Sequence, residues 1–85
     1  MDIEFHKKFK KSLNKKDIKI EKKFFKILKI FQEDQFHYSL NNNALTGKFK
    51  GIRSINITGD IRAHYHESKD KIVFLNIGSH SELYS

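Results

Sequence analysis

The spacing of apolar positions changes along the chain, and the changes divide it into elements. Ile3 and Phe5 alternate with polar residues between Asp2 and His6, the two-residue period of a short strand at the edge of a sheet. From His6 the period lengthens. Phe5, Phe9 and Leu13 recur at four-residue steps among Lys7, Lys8, Lys10 and Lys11, which predicts a first helix. The polar run Asn14-Lys15-Lys16-Asp17 breaks it, and Asp17 has the short acceptor side chain of an N-cap. Ile20, Phe24, Ile27 and Phe31, flanked by Phe25 and Leu28, then form a broad stripe with Lys22, Lys23, Lys26 and Lys29 elsewhere, predicting a second helix that ends near Glu33. Their helical period assigns these aromatics to a core rather than to a base-stacking surface. Gln35 to Gly47, with Asn41-Asn42-Asn43 in its middle, reads as a connecting loop.

From Leu45 to Tyr84 the pattern is that of strands. Ile55, Ile57, Ile61, Tyr65, Ile72, Val73, Phe74, Leu75 and Ile77 are β-formers, and Thr58-Gly59-Asp60 and Ser68-Lys69-Asp70 are turn signals that separate three strands. Links this short predict an antiparallel meander. Alternation sorts the residues by face: Ile55 and Ile57, then Ile61, Ala63 and Tyr65, form a core wall, while Ser54, Asn56, Thr58, Asp60, Arg62, His64 and His66 point the other way. The polar face is either a working surface or a merely solvated one. The fold class is α+β, with a short N-terminal strand and a two-helix hairpin packed on a three-stranded antiparallel meander, in a single domain over residues 1–85.

Composition narrows the class. A chain of 85 residues holds one small domain. Without Cys it has neither a disulfide framework nor a thiolate metal site, and with no signal peptide or spanning segment the expected location is cytoplasmic, away from membranes. Formal charge is +7, and residues 1–31 carry eleven Lys against four acids, a distribution that attracts polyanions such as nucleic acid or an acidic protein.

Candidate chemistry lies mostly on the polar face. Gly47-Lys-Phe-Lys-Gly51 lacks the ending and the strand-to-helix context of a phosphate loop, leaving Lys48 and Lys50 as backbone-phosphate contacts at the lip of that face or as plain surface charge. His64 and His66 share a face and with His80 or Asp60 would give metal donors, but the spacing fixes no third ligand, so no metal and no small-molecule cofactor are expected. His80 sits in a polar hook, Gly78-Ser-His-Ser, after the last strand, and imidazole titrates where general acid–base work needs it.

The run Ala44-Leu-Thr-Gly-Lys-Phe-Lys-Gly-Ile-Arg-Ser-Ile-Asn-Ile-Thr-Gly-Asp-Ile-Arg-Ala-His-Tyr, followed by Val73-Phe-Leu-Asn-Ile-Gly-Ser-His-Ser-Glu-Leu-Tyr, closely resembles bacterial RelE/YafQ-type toxins of toxin–antitoxin systems. The resemblance extends, less specifically, to His6-Lys-Lys-Phe-Lys-Lys and Phe36-His-Tyr-Ser-Leu. It implies a metal-independent endoribonuclease that cleaves messenger RNA in the ribosomal A site, deprotonating a ribose 2′-hydroxyl and protonating the 5′-oxygen that leaves. Asp60, His80, Tyr84 and Arg62 match family catalytic positions, Arg62 as a phosphate contact or a brace. Lys48, Lys50, Asn43, Asn56, Arg53 and His64 are the implied RNA-binding set. Asn43 and Asn56 stand where family members often have His, and Asn cannot transfer a proton near neutral pH. The implied partners are a cognate antitoxin, the ribosome and mRNA. The other readings are a ParE-like inhibitor of DNA gyrase and a family member that binds RNA or antitoxin with little catalysis.

Overall fold

A computed structural model describes residues 1–84. The elements run β1 (Asp2–Phe5), α1 (Lys7–Asn14), α2 (Ile18–Glu33), β2 (Asn43–Ala44), β3 (Ile52–Asn56), β4 (Ile61–Ser68), β5 (Lys71–Ser79) and α3 (His80–Tyr84), with 3₁₀ turns at Tyr38–Leu40 and Gly47–Phe49. They build one five-stranded sheet in the order β1-β5-β4-β3-β2, in which β1 runs parallel to β5 and the other pairs are antiparallel. The meander is therefore the centre of a larger, mixed sheet. β1 lies at an edge as its alternation predicts, and the loop expected over Gln35–Gly47 contains the other edge strand, β2, whose Asn43 and Ala44 pair with Ser54 and Arg53. Two residues of Asn-Ala have no periodicity to read, so pairing with β3 alone makes them a strand.

The helices begin where short acceptors permit. His6 Nδ1 accepts from the backbone N–H of Lys8 at the start of α1, and Asp17 Oδ1 accepts from that of Ile20 at the start of α2. Phe9 and Leu13 of α1 and Phe24, Ile27 and Phe31 of α2 are buried against Ile55, Ala63, Tyr65, Ile72, Phe74 and Ile77 of the sheet. Aromatic rings dominate the contact: Phe24 meets Phe74 edge-on at 5.5 Å, and Phe31 meets Tyr65 edge-on at 5.1 Å, geometries that suit the ring quadrupoles.

A register shift between His64 and Tyr65 sets the last strand. His64 pairs with Asn76 but Tyr65 pairs with Phe74, so Leu75 is the extra residue of a bulge. Burial changes parity there, with Ile72 and Phe74 facing the core before the bulge and Ile77 after it. The continuous apolar run Ile72–Leu75 hides this in the sequence.

Candidate functional site

The polar face of the sheet is not an open surface. Ser54 and His64 point away from the helices as alternation predicts, yet they are only 1% and 3% exposed. The cover comes from the two segments that flank the sheet in sequence. Phe49, from the 3₁₀ turn before β3, and Tyr84, from α3, meet edge-on with centroids 5.1 Å apart. Both also pack on the His64 ring, at 5.9 and 5.3 Å, and Tyr84 Oη lies 3.1 Å from His64 Nε2. Burial, with Arg62 as a second cause, lowers the His64 pKa to about 4, so its imidazole is neutral at physiological pH. The exposed RNA contact expected of His64 does not match this placement: the ring lies beneath Phe49 and Tyr84 and positions Tyr84 instead.

Arg62 forms the floor of the site. Its Nε donates to Ser54 Oγ at 2.6 Å and its Nη1 to Asn56 Oδ1 at 2.9 Å, while Nη2 reaches the carbonyl oxygens of Asn41 at 2.8 Å and Ser54 at 3.0 Å. A guanidinium has five N–H bonds, and four are used here, which leaves one on Nη1 for a ligand. Burial lowers its pKa from the ordinary value, opposed by Tyr84, and Arg remains charged. The bond to Asn41 also ties the loop before β2, where Asn41 adopts a left-handed φ of 44°, to the centre of the sheet.

The hook expected around His80 is the end of β5 followed by α3, a helical turn closed by a capping box. Ser79 Oγ accepts from the backbone N–H of Glu82 at 3.3 Å, and Glu82 Oε1 accepts from that of Ser79 at 2.8 Å. Five residues cannot hold a helix by themselves, and a third anchor comes from the link between α1 and α2: Lys16 Nζ donates to Glu82 Oε1 at 2.6 Å. Hydrogen bonds from Lys16 and Ser79 lower the Glu82 pKa to about 2. Gly78 must lack a side chain here, since a Cβ would lie 2.9 Å from Glu82 Oε1 and 3.0 Å from its Cβ. So held, α3 presents His80 to solvent with its ring 4.6 Å from that of Tyr84.

These elements enclose a groove of about 530 Å³ lined by Asn56, Gly59, Asp60, Arg62, Ser79, His80 and Ser81. Asp60 stands at its rim on the turn between β3 and β4, which Thr58 closes by accepting from the backbone N–H groups of Asp60 and Ile61. Asp60, Arg62, His80 and Asn56 are therefore brought together, with Tyr84 beside His80. A second cleft of about 220 Å³ is lined by His6, Lys8, Phe49, Ile52, His64, Leu75, Asn76 and Leu83, and has no carboxylate. Lys48 and Lys50 are exposed on the turn that carries Phe49, and Asn43 is exposed on β2 opposite Ser54. Arg53 is placed differently. It shares the parity of Ile55, so it reaches the helix side, where Nε donates to Asn42 Oδ1 at 2.8 Å and the guanidinium lies 5.2 Å from the centroid of Phe36. Among the described residues no group of three or more His, Asp or Glu is arranged to hold a metal ion, and no helix is long and apolar enough to cross a membrane.

Sequence reasoning missed Phe49, Ser54, Lys16 and Glu82 as parts of this site. Only the capping box had a local signal, the spacing Ser79-x-x-Glu82. The other three act through partners remote in sequence.

Comparison with known proteins bears on the same arrangement. A family model for the bacterial toxin of type II toxin–antitoxin systems, YafQ, matches residues 1–85. A metal-bound toxin from Helicobacter pylori is similar over 99% of each chain, with 27% identity and a TM-score of 0.76. YafQ from Escherichia coli strain BL21(DE3) matches over 99% of this chain and 98% of its own, with 21% identity and a TM-score of 0.77. The toxin in the E. coli DinJ–YafQ complex matches over the same shares, with 22% identity and a TM-score of 0.73. No curated protein sequence matches the chain.

Proposed function

The chain belongs to the YafQ family of bacterial type II toxin–antitoxin toxins, and from that premise we propose that it is a ribosome-dependent endoribonuclease that cleaves messenger RNA without a metal. The observation that carries the reading is the groove itself, in which a carboxylate, a guanidinium and an imidazole (Asp60, Arg62 and His80) line one concave surface. Asp60 takes the proton of a ribose 2′-hydroxyl, and the 2′-oxygen attacks the adjacent phosphorus. A 2′,3′-cyclic phosphate forms as the bond from phosphorus to the 5′-oxygen breaks, and protonated His80 gives its proton to that oxygen. The remaining N–H of Arg62 faces the charge that develops on the phosphoryl oxygens. Tyr84, backed by His64, offers its ring to a base next to the cleaved bond. Lys48 and Lys50 hold the RNA backbone by charge.

Asn56 stands where a proton donor is often found in the family, and it accepts from Arg62 instead. It keeps the guanidinium in place and leaves proton transfer to Asp60 and His80. The partner is an antitoxin, as in the DinJ–YafQ complex, and the eleven Lys of residues 1–31 suit an acidic or amphipathic segment that folds on binding.

Brief induction of the chain without antitoxin, followed by mapping of 5′ ends on translated messages, tests the reading. New ends inside codons, absent with His80→Ala, are expected. Intact messages with blocked DNA supercoiling would overturn it in favour of gyrase as the target.

A further inference from the structure

The segment between α2 and β2 exposes two large rings that contribute nothing to the core. Phe36 is 60% exposed and Tyr38 89% exposed. An isolated exposed ring is ordinary, but these two are held in place, each with one face backed. The Arg53 guanidinium lies 5.2 Å from the centroid of Phe36, and His37 stacks on Tyr38 with centroids 4.6 Å apart and planes inclined at 28°.

The backbone beneath them is fixed at every step. Asp34 Oδ1 accepts from the N–H of Phe36, His37 Nδ1 accepts from that of Ser39, and Leu40 is wholly buried. Gln35 and Asn42 each donate to the hydroxyl of buried Tyr65, at 2.9 and 2.8 Å, which ties both ends of the segment to the sheet. Asn41, between Leu40 and Asn42, is the residue whose carbonyl accepts from Arg62. Two rings with open faces, the Arg53 guanidinium against Phe36 and the backbone link through Asn41 to Arg62 suit a π-faced anionic polymer.

We propose that Phe36 and Tyr38 form a stacking platform for unpaired bases of single-stranded RNA whose neighbouring phosphate lies over Arg62. The proposal rests on the reading that RNA is the substrate. Stacking is sequence-tolerant, because every base has a π-face, so the platform adds affinity without codon preference. The rings and their backing groups are ordered before the ligand arrives, so little freedom is lost when a base stacks on them.

The test is fluorescence anisotropy with a short labelled 2′-O-methyl single-stranded RNA of mixed sequence, which cannot be cleaved. Phe36→Ala and Tyr38→Ala should each weaken binding by about 5- to 150-fold, the usual loss for one stacked base. Tyr38→Phe should bind as the parent chain does. Both side chains are exposed, so their removal leaves the fold intact, and circular dichroism checks that. Unchanged affinity in Tyr38→Ala overturns the platform, as does failure of the parent chain to bind the probe. Unchanged RNA affinity with a weakened antitoxin complex assigns the rings to a protein partner and also overturns it. Cleavage of translated messages is read separately. Cleavage with unaltered probe binding in Tyr38→Ala sinks the platform alone, whereas weakened binding in that variant without cleavage by the parent sinks the nuclease reading alone.

Discussion

Acidification from pH 8 to pH 5 should destabilise the chain through one residue, His64. Its imidazole is covered by Phe49 and Tyr84, and burial followed by the charge of Arg62 holds its pKa at about 4, against 6.5 for an ordinary histidine. The sign follows from proton uptake. Between pH 4 and 6.5 the unfolded chain binds a proton at this position and the folded chain does not, so stability rises with pH through that window. It is fully present above 6.5 and lost as pH falls towards about 4. At pH 5 the unfolded histidine is almost wholly protonated and the folded one almost wholly neutral, a difference of roughly 2 kcal/mol by linkage. With a urea slope of about 1–2 kcal/mol/M for a domain this small, the unfolding midpoint should fall by about 1–2 M. Glu82 does not interfere. Its folded pKa is depressed to about 2, so its contribution is complete above 4.5 and is lost only as pH drops below that. Urea titrations of the parent chain and of His64→Gln, which retains a polar partner for Tyr84 but cannot take up a proton, isolate the effect. The parent should lose midpoint steeply between pH 6.5 and 5 while the variant changes little. Parallel curves for the two proteins would refute the account of the covered imidazole.

Four further outcomes are expected. His80→Ala should lower ribosome-dependent cleavage by roughly 10²- to 10⁴-fold with unfolding unchanged, and Asp60→Asn should act to a similar extent, measured by single-turnover cleavage of a programmed message; full activity in either variant would remove that residue from the mechanism. Arg62→Lys should cost about 1–3 kcal/mol in urea unfolding, since one ammonium cannot reproduce four bonds and leaves buried Ser54 short of a partner. Glu82→Gln and Gly78→Ala both disturb the capping box, so each should reduce cleavage severalfold, less than His80→Ala does, and raise amide exchange in α3; wild-type exchange there would show that the box does not hold the helix. Lys69 turns the β4–β5 hairpin at a φ of 57°, a conformation that costs an L side chain about 1–2 kcal/mol, and Lys69→Gly should therefore raise the thermal midpoint; a lower midpoint would mean that the turn is not strained.

Periodicity by itself determined a good deal of this protein. The three- and four-residue spacing of Phe9 and Leu13 in α1 and of Phe24, Ile27 and Phe31 in α2, and the alternation through Ile55, Ala63 and Tyr65, specify which faces are buried, because burial of apolar area on one face is a local property of the pattern. Caps have the same local character, so Asp17 opens α2 as expected; Asp60, Arg62 and His80, named by the family resemblance, line one groove.

Tertiary structure decided what that pattern leaves open. Alternation put His64 and Ser54 on the polar face correctly but could not show that face to be roofed, because Phe49 and Tyr84 come from segments that sequence spacing does not connect. Arg53 on β3 and Arg62 on β4 take opposite faces of the sheet, so one reaches Asn42 and Phe36 on the helix side and the other floors the groove. The bulge at Leu75 is invisible within an unbroken apolar run, and β2 exists only through its pairing with β3. Lys16 and Glu82 stand 66 residues apart, and only the packing of α1 on β5 brings that lysine to the helix that presents His80. The long helices, the meander strands and most of the core follow from short-range periodicity. The chemistry of the site follows from contacts distant in sequence, which chain folding alone assembles.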